Sequence, residues 1–186
     1  MLSELIGKKQ SDNGSECDGE WKNNIRNGQG KYFDETVKLI YDGKWENNMR
    51  NGKGKAFHST TGKLIYDGEW KNNIQNGQGK YFDETGKLLY DGELKNAIKN
   101  GQGKMFHTVT GKLIYEGKWE NNMMNGQGKY FNAETGKLIY DGEWKNNMMN
   151  GKGKWFNTKT GKLLYDGEWK NNIRNGQGKE FHYITG

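Results

Sequence analysis

Seven glycine-led elements set the rhythm of this chain. Gly28, Gly52, Gly77, Gly101, Gly126, Gly151 and Gly176 each open a Gly-x-Gly-Lys, at spacings of 24, 25, 24, 25, 25 and 25 residues. Trp21, Trp45, Trp70, Trp119, Trp144 and Trp169 keep the same beat, with Leu94 in the fourth slot. Phe33, Phe57, Phe82, Phe106, Phe131, Phe156 and Phe181 keep it too. Self-similarity at such a period marks units that bury their apolar face by stacking on neighbours. The reading divides the chain into a non-repeat segment, 1–14, and seven units at about 15–37, 38–62, 63–86, 87–111, 112–136, 137–161 and 162–186.

The third unit shows what each unit folds into. In Lys63-Leu64-Ile65-Tyr66-Asp67-Gly68-Glu69-Trp70, alternation places Leu64, Tyr66, Gly68 and Trp70 on one face and Ile65, Asp67 and Glu69 on the other. That period of two predicts a half-buried strand. Asn72–Gly77 is rich in residues that tolerate positive φ and predicts a hairpin turn. Gly77–Phe82 then returns, and Thr85-Gly86 turns the chain into the next unit. A helix is excluded, because glycine recurs too often and no window has a 3.6-residue period. The fold class is therefore all-β: an elongated, single-layer antiparallel sheet of seven stacked hairpins.

The register expected from ring-on-glycine packing sets Trp70 opposite Gly79, Gly68 opposite Tyr81 and Glu69 opposite Lys80. The same rule pairs Glu20 with Lys31, Glu93 with Lys104, Glu143 with Lys154 and Glu168 with Lys179. It leaves Lys44 facing Lys55 and Lys118 facing Lys129. Composition supports an aromatic rather than an aliphatic core, with ten Tyr, seven Phe and seven Trp. Such rings bury more surface than aliphatic side chains.

Tyr-x-Gly-x-Trp followed by Gly-x-Gly, as in Tyr66–Trp70 with Gly77–Gly79, resembles the MORN repeat. The resemblance covers all seven units, and the segment 79–88 looks like the variant form common in bacterial proteins. It implies an elongated antiparallel sheet and an adaptor role, linking proteins and sometimes membranes. Larger relatives add kinase or methyltransferase domains, and none is present here. Leu94 and Val37 break the pattern in single units, and an Ile or Met stands four residues after each Trp.

The residues offer little to catalysis. Asp67 and Glu69, like their equivalents, lie two apart on one strand face beside lysines, not on opposite sides of a substrate as paired glycosidase carboxylates do. His58, His107 and His182 fall in units two, four and seven, too far apart to share a metal. Gly-x-Gly-Lys lacks the following helix of a phosphate loop. The chain is therefore expected to be non-enzymatic and to need no cofactor. Cys17 stands alone, where later units carry Tyr, so no internal disulfide forms. Asn13-Gly14-Ser15 matches a glycosylation acceptor by chance. No apolar run is long enough for a signal peptide or a membrane span, and the expected compartment is the cytosol.

The net charge of +6 is spread over the units. That argues against a nucleic-acid site, which concentrates cations. The expected partner is another protein. A peripheral role on anionic phospholipid is the alternative, with weak, salt-sensitive binding, and a carbohydrate-binding module the further one. Two surfaces are candidates. One is the aromatic face, represented by Tyr66, Trp70, Tyr115, Trp119, Tyr140 and Trp144, expected to stay partly open because no second layer covers it. The other is the row Ile25, Met49, Ile74, Ile98, Met123, Met148 and Ile173, which either folds back on its own Trp or forms an apolar ridge. Within it, Met123-Met124 and Met148-Met149, with Trp155, form the expected hot spot. Glu180 takes a slot filled elsewhere by Tyr32, Ala56, Tyr81, Met105, Tyr130 and Trp155, and reads as an inward charge guarding the last strand against pairing. Self-association through that edge is the alternative. Leu2, Leu5 and Ile6 have helical spacing, which predicts a short cap over the first hairpin, with disorder as the other reading.

Overall fold

The computed structural model describes residues 4–182. Fifteen strands, and no helix among the described residues, form one antiparallel sheet in chain order. The strands are β1 (Glu4–Gln10), β2 (Glu16–Lys22), β3 (Ile25–Phe33), β4 (Leu39–Glu46), β5 (Met49–Phe57), β6 (Leu64–Lys71), β7 (Ile74–Phe82) and β8 (Leu88–Lys95). They continue as β9 (Ile98–Phe106), β10 (Leu113–Glu120), β11 (Met123–Phe131), β12 (Leu138–Lys145), β13 (Met148–Phe156), β14 (Leu163–Lys170) and β15 (Ile173–Glu180). Packing divides them into two units. The first reaches to Leu88 and includes Leu94–Ala97; the second includes Leu89–Glu93 and runs on from Ile98.

The hairpin turn is shorter than the sequence reading. Only Asn72 and Asn73 turn the chain, at φ 49° and 67°, and Lys71 already faces Ile74. Two successive left-handed residues make the tight turn whose twist matches the strands, and Asn tolerates that region. The strand leaving the turn is bulged. Asp67 faces Lys80 and Gly68 faces Gly79, then Trp70 faces Gln75. The three residues Asn76-Gly77-Gln78 thus span the single residue Glu69, and Gly77 takes φ 100° to do so. This bulge corrects the expected register by two residues, so Trp70 is not opposite Gly79.

The charge pairing moves with it. Lys31 faces Asp18, Lys154 faces Asp141 and Lys179 faces Asp166, in place of Glu20, Glu143 and Glu168. Lys44 and Lys118 face Gln29 and Gln102, so the expected lysine–lysine conflicts do not arise. The glutamates serve the bulge instead. Glu93 Oε1 accepts from the Gln102 amide at 2.8 Å, and Glu143 Oε1 from that of Lys152 at 2.9 Å. Lys55 lies between Asp42 and Asp67, and Lys154 between Asp141 and Asp166. These ladders are about half exposed, at 3.8–3.9 Å for Lys154–Asp166 and Lys55–Asp67. Each contact is worth about 0–1 kcal/mol.

The N-terminal segment is a strand, not a helical cap. Leu5 faces Trp21, Gly7 faces Gly19 and Lys8 faces Asp18, so β1 repeats the second strand of a unit. Trp21 Nε1 donates to the Gly7 carbonyl at 3.0 Å, as Trp45 does to Gly30 at 3.0 Å. Pairing with β2 overrides the weak helical spacing of three apolar residues, one of which, Leu2, lies outside the described residues.

The alternation of 24 and 25 residues is a difference of loop length. In the short loops the amides of Asp34 and Asp83 donate to the carbonyls of Lys38 and Lys87; in a long one that of His58 donates to Lys63. Asp34 Oδ1 collects the Thr36 amide at 2.9 Å, its hydroxyl at 2.8 Å and the Lys38 amide at 3.0 Å. In long loops the neutral Oδ1 of Asn132 and Asn157 accepts the Thr135 and Thr160 amides, and His58 and His107 accept with Nδ1.

The turns and the loops can each be tested. At the second turn position Asn48, Asn73, Asn122, Asn147 and Asn172 each accept, with Oδ1, a backbone amide of the preceding hairpin. Ala97 sits there at φ 62° and lacks that oxygen. Ala97→Asn should supply an acceptor for the Gln75 amide and relieve the left-handed alanine, adding about 1 kcal/mol in denaturant unfolding. In the short loops, the hydrogen bonds to Asp34 and Asp83 hold their carboxyls below the ordinary value of 3.8. Their contribution is present above that value and is lost as pH falls through the lowered one. On acidification the amide resonances of Thr36 and Thr85 should shift, while those of Thr135 and Thr160 should not.

Candidate functional site

The face that carries Tyr and Trp is a closed ladder of rings. Tyr66 and Tyr115 are fully buried, and Tyr41, Tyr90, Tyr140 and Tyr165 nearly so. Trp70, Trp119, Trp144 and Trp169 each stand edge-on between their own Tyr and the Tyr of the hairpin before. Trp70 lies 5.1 Å from Tyr66 and 5.4 Å from Tyr41. Trp144 lies 5.2 Å from Tyr140 and 5.6 Å from Tyr115. Such edge-to-face pairs contribute roughly 0.5–1.5 kcal/mol each beyond burial.

Glycine makes room for the rings. The Tyr66 hydroxyl donates to the Glu69 carbonyl at 2.8 Å and lies across Gly79, where a Cβ would come within 2.5 Å of that oxygen. Trp70 Nε1 donates to the Gly54 carbonyl one hairpin back, at 3.0 Å. Both rings are thereby anchored to backbone. Burial pushes the Tyr41 phenol up to about 12, and those of Tyr66, Tyr115 and Tyr140 higher still.

A second row closes the ladder from above, and sequence reasoning missed it. Arg26, Arg50, Gln75, Met124, Met149 and Arg174, each following an Ile or Met, face the Trp of their own hairpin, and Arg26, Arg50 and Lys99 cover the Trp of the next. The Arg26 guanidinium lies 4.3 Å from the Trp45 ring and that of Arg50 4.3 Å from Trp70. Lys99 Nζ lies 4.8 Å from Trp119 and 5.1 Å from Tyr90. The hairpin with Leu94 in place of Trp is the one whose preceding cover is Gln75, which accepts from the Tyr81 hydroxyl at 3.2 Å. Met124 and Met149 also replace the cation, but the hairpins that follow them keep Trp144 and Trp169.

This geometry corrects several expectations. Tyr66, Trp70, Tyr115, Trp119, Tyr140 and Trp144 are all buried, because glycine, neighbouring rings and the covering row do the work of a second layer. They cannot form an open docking face. Met123 faces Glu120 and Met124 faces Trp119; Met148 faces Lys145 and Met149 faces Trp144. The methionines of each pair lie on opposite faces of a strand, not in a turn, and all four are half-buried. Trp155 faces Tyr140 and tilts against Trp169 at 5.7 Å, also half-buried. Met124, Met149 and Trp155 therefore share the ring face, and Met123 and Met148 the other. Glu180 faces Tyr165 and is about half exposed, tied to Arg174 rather than turned into the core.

Depressions open on both units. In the first, a groove of about 830 Å³ runs over Tyr41 and Trp45, bordered by Arg26, Arg50, Tyr32 and the loop Ser11–Asn13. In the second, a hollow of about 590 Å³ beside Met148 is walled by Glu143, Glu168, Lys145 and Lys152. Among the described residues no three His, Cys, Asp or Glu side chains gather as a metal would require. Asn13 Oδ1 accepts from the Ser15 hydroxyl at 2.8 Å, capping the first loop.

The family model of the MORN repeat matches residues 17–35, 41–56, 66–87, 90–107, 115–132, 140–157 and 165–181. The chain belongs to the MORN-repeat family. No curated protein matches it.

The cation–indole cover is testable where it is missing. Leu94→Trp combined with Gln75→Arg should show favourable coupling of about 0.5–1 kcal/mol in a double-mutant cycle. Gln75→Arg alone should gain nothing.

Proposed function

We propose that this chain is a non-enzymatic scaffold that holds another protein against the Ile/Met row at its hairpin ends. The observation that carries this reading is the exposure of that row. Ile25 is 38 %, Ile74 45 %, Ile98 37 % and Ile173 70 % exposed. Met49, Met123 and Met148 occupy the same position, half-buried. These side chains face Lys22, Glu46, Lys71, Glu120, Lys145 or Lys170 across the turn, on the face opposite the rings. They do not fold onto their own Trp, because the two-residue turn sends them away from it. Within each unit, one apolar tip per hairpin, about 9.6 Å from the next at two strand spacings, suits an extended segment of a partner. In the second unit the row passes the hollow beside Met148, which keeps hairpins five and six as the favoured place. Membership of a family built from such repeats supports a scaffold role.

An anionic membrane surface is the second reading, on the net charge of +6. The alternating Asp–Lys ladder weakens it, since its lysines have carboxylates beside them. Binding to anionic vesicles should be weak and vanish by about physiological ionic strength.

The test separates the two faces. One variant carries Ile98→Lys, Met123→Lys and Met148→Lys; the other carries Met124→Arg and Met149→Arg. Quantitative affinity capture from the native cell should lose the wild-type partner in the first variant and keep it in the second. Loss in the second variant only would move the site to the ring face, and full retention in both would reject it.

A further inference from the structure

We propose that the groove over Trp45 in the first unit binds an extended acidic peptide, with Arg26 and Arg50 reading its carboxylates. Neither arginine has a carboxylate partner among the described residues. Arg26 Nη1 donates to Cys17 Sγ at 3.2 Å and its Nε to Asn48 Oδ1 at 3.4 Å. Arg50 Nη2 donates to the Asn73 carbonyl at 3.3 Å. All of these acceptors are neutral, so two positive charges stay uncompensated on one side of the sheet. In the same slot of other hairpins Arg174 is bound to Glu180, whereas Lys99 lies singly over Trp119 and Tyr90; lysines such as Lys55 and Lys154 lie beside Asp67 and Asp166.

The two guanidiniums are also held in place. Each is stacked on an indole, and each spends one or two of its five donors on the sheet, leaving edges for a ligand. Partial burial lowers the Arg50 pKa but leaves the group charged at neutral pH. The groove's volume of about 830 Å³ is that of a site for a short chain segment. Its lining includes a single acid, Asp12, against two arginines. Tyr32, Asn48 and Asn73 add further hydrogen-bonding groups along it. The cations stand over buried rings, between the Ser11–Asn13 loop and the Asn turns. An extended chain can lie along the groove between them. The site shares no residue with the Ile/Met row and stands whether or not that row binds a protein.

The experiment uses the full chain and a fluorescein-labelled octapeptide of alternating Glu and Gly, read by anisotropy at low salt. The wild type should bind it, and a peptide with Gln for Glu should not bind. Arg26→Met with Arg50→Met uses the residue that the chain itself places in this slot at 124 and 149. It should weaken binding at least tenfold while cooperative unfolding persists, at a midpoint lowered by the lost cation–indole contacts. Arg174→Gln should leave affinity within twofold. If the double variant does not fold, Arg50→Gln alone should give at least a threefold loss. Wild-type affinity in the arginine variants, or no binding of the Glu peptide, overturns the proposal. It is equally overturned if these variants lose co-sedimentation with phosphatidylserine vesicles while keeping peptide affinity, since the groove's ligand is then a lipid surface.

Discussion

An aromatic ring lying on glycine backbone is the contact on which the rest of this sheet depends. A single-layer sheet has no opposing sheet or helix to dry its apolar side. Here the rings lie along the sheet, and they can do so only where a strand has no side chain. Gly79 receives Tyr66, and the Gly54 carbonyl receives the Trp70 N–H. The close approach of Gly68 to Gly79 draws the two strands together beneath the ring. Each Trp from Trp70 to Trp169 also touches a ring of the hairpin before, so burial is shared between neighbours, as in other repeat proteins.

Much of this was legible in the sequence. The glycine and tryptophan beats marked the repeat, alternation identified strands, and the link between large rings and recurring glycines was sound in kind. The pairing that expressed the link was not. Asn72–Gly77 reads as one long turn, because asparagine and glycine share a tolerance for positive φ. The structure divides that tolerance between a two-residue turn and a bulge three residues later. Nothing in a period-two pattern announces a bulge, and a two-residue slip changes every cross-strand partner while leaving each side chain on its face. The N-terminal strand escaped for a different reason: β1 keeps only Gly7-Lys8 of the repeat, too little to be seen as half a unit.

The candidate site was less legible than the fold. The ring face read as open, since the sequence held no second layer to cover it. The cover comes from the strand just before each covered Trp, through Arg26, Arg50 and Lys99, whose role depends on where the bulge sets them. Once the rings are closed off, the chemistry exposed to partners is what surrounds them: the Ile/Met tips on one face and the arginine-lined groove on the other. The methionine pairs that stood out by composition have one member on each face of the sheet, away from that groove.

The central claim, that ring-on-glycine packing holds the sheet, is tested most directly by comparing two glycine-to-alanine variants in thermal or urea unfolding. At Gly128 a Cβ would meet the Tyr115 hydroxyl oxygen at 2.3 Å, whereas at Gly7 it would meet nothing within 4 Å. Neither glycine has a positive φ, so the comparison isolates the steric effect. Gly128→Ala should cost about 1–3 kcal/mol, as forced overpacking does, and Gly7→Ala should leave stability unchanged within a few tenths of that scale. Equal effects of the two substitutions would contradict the account.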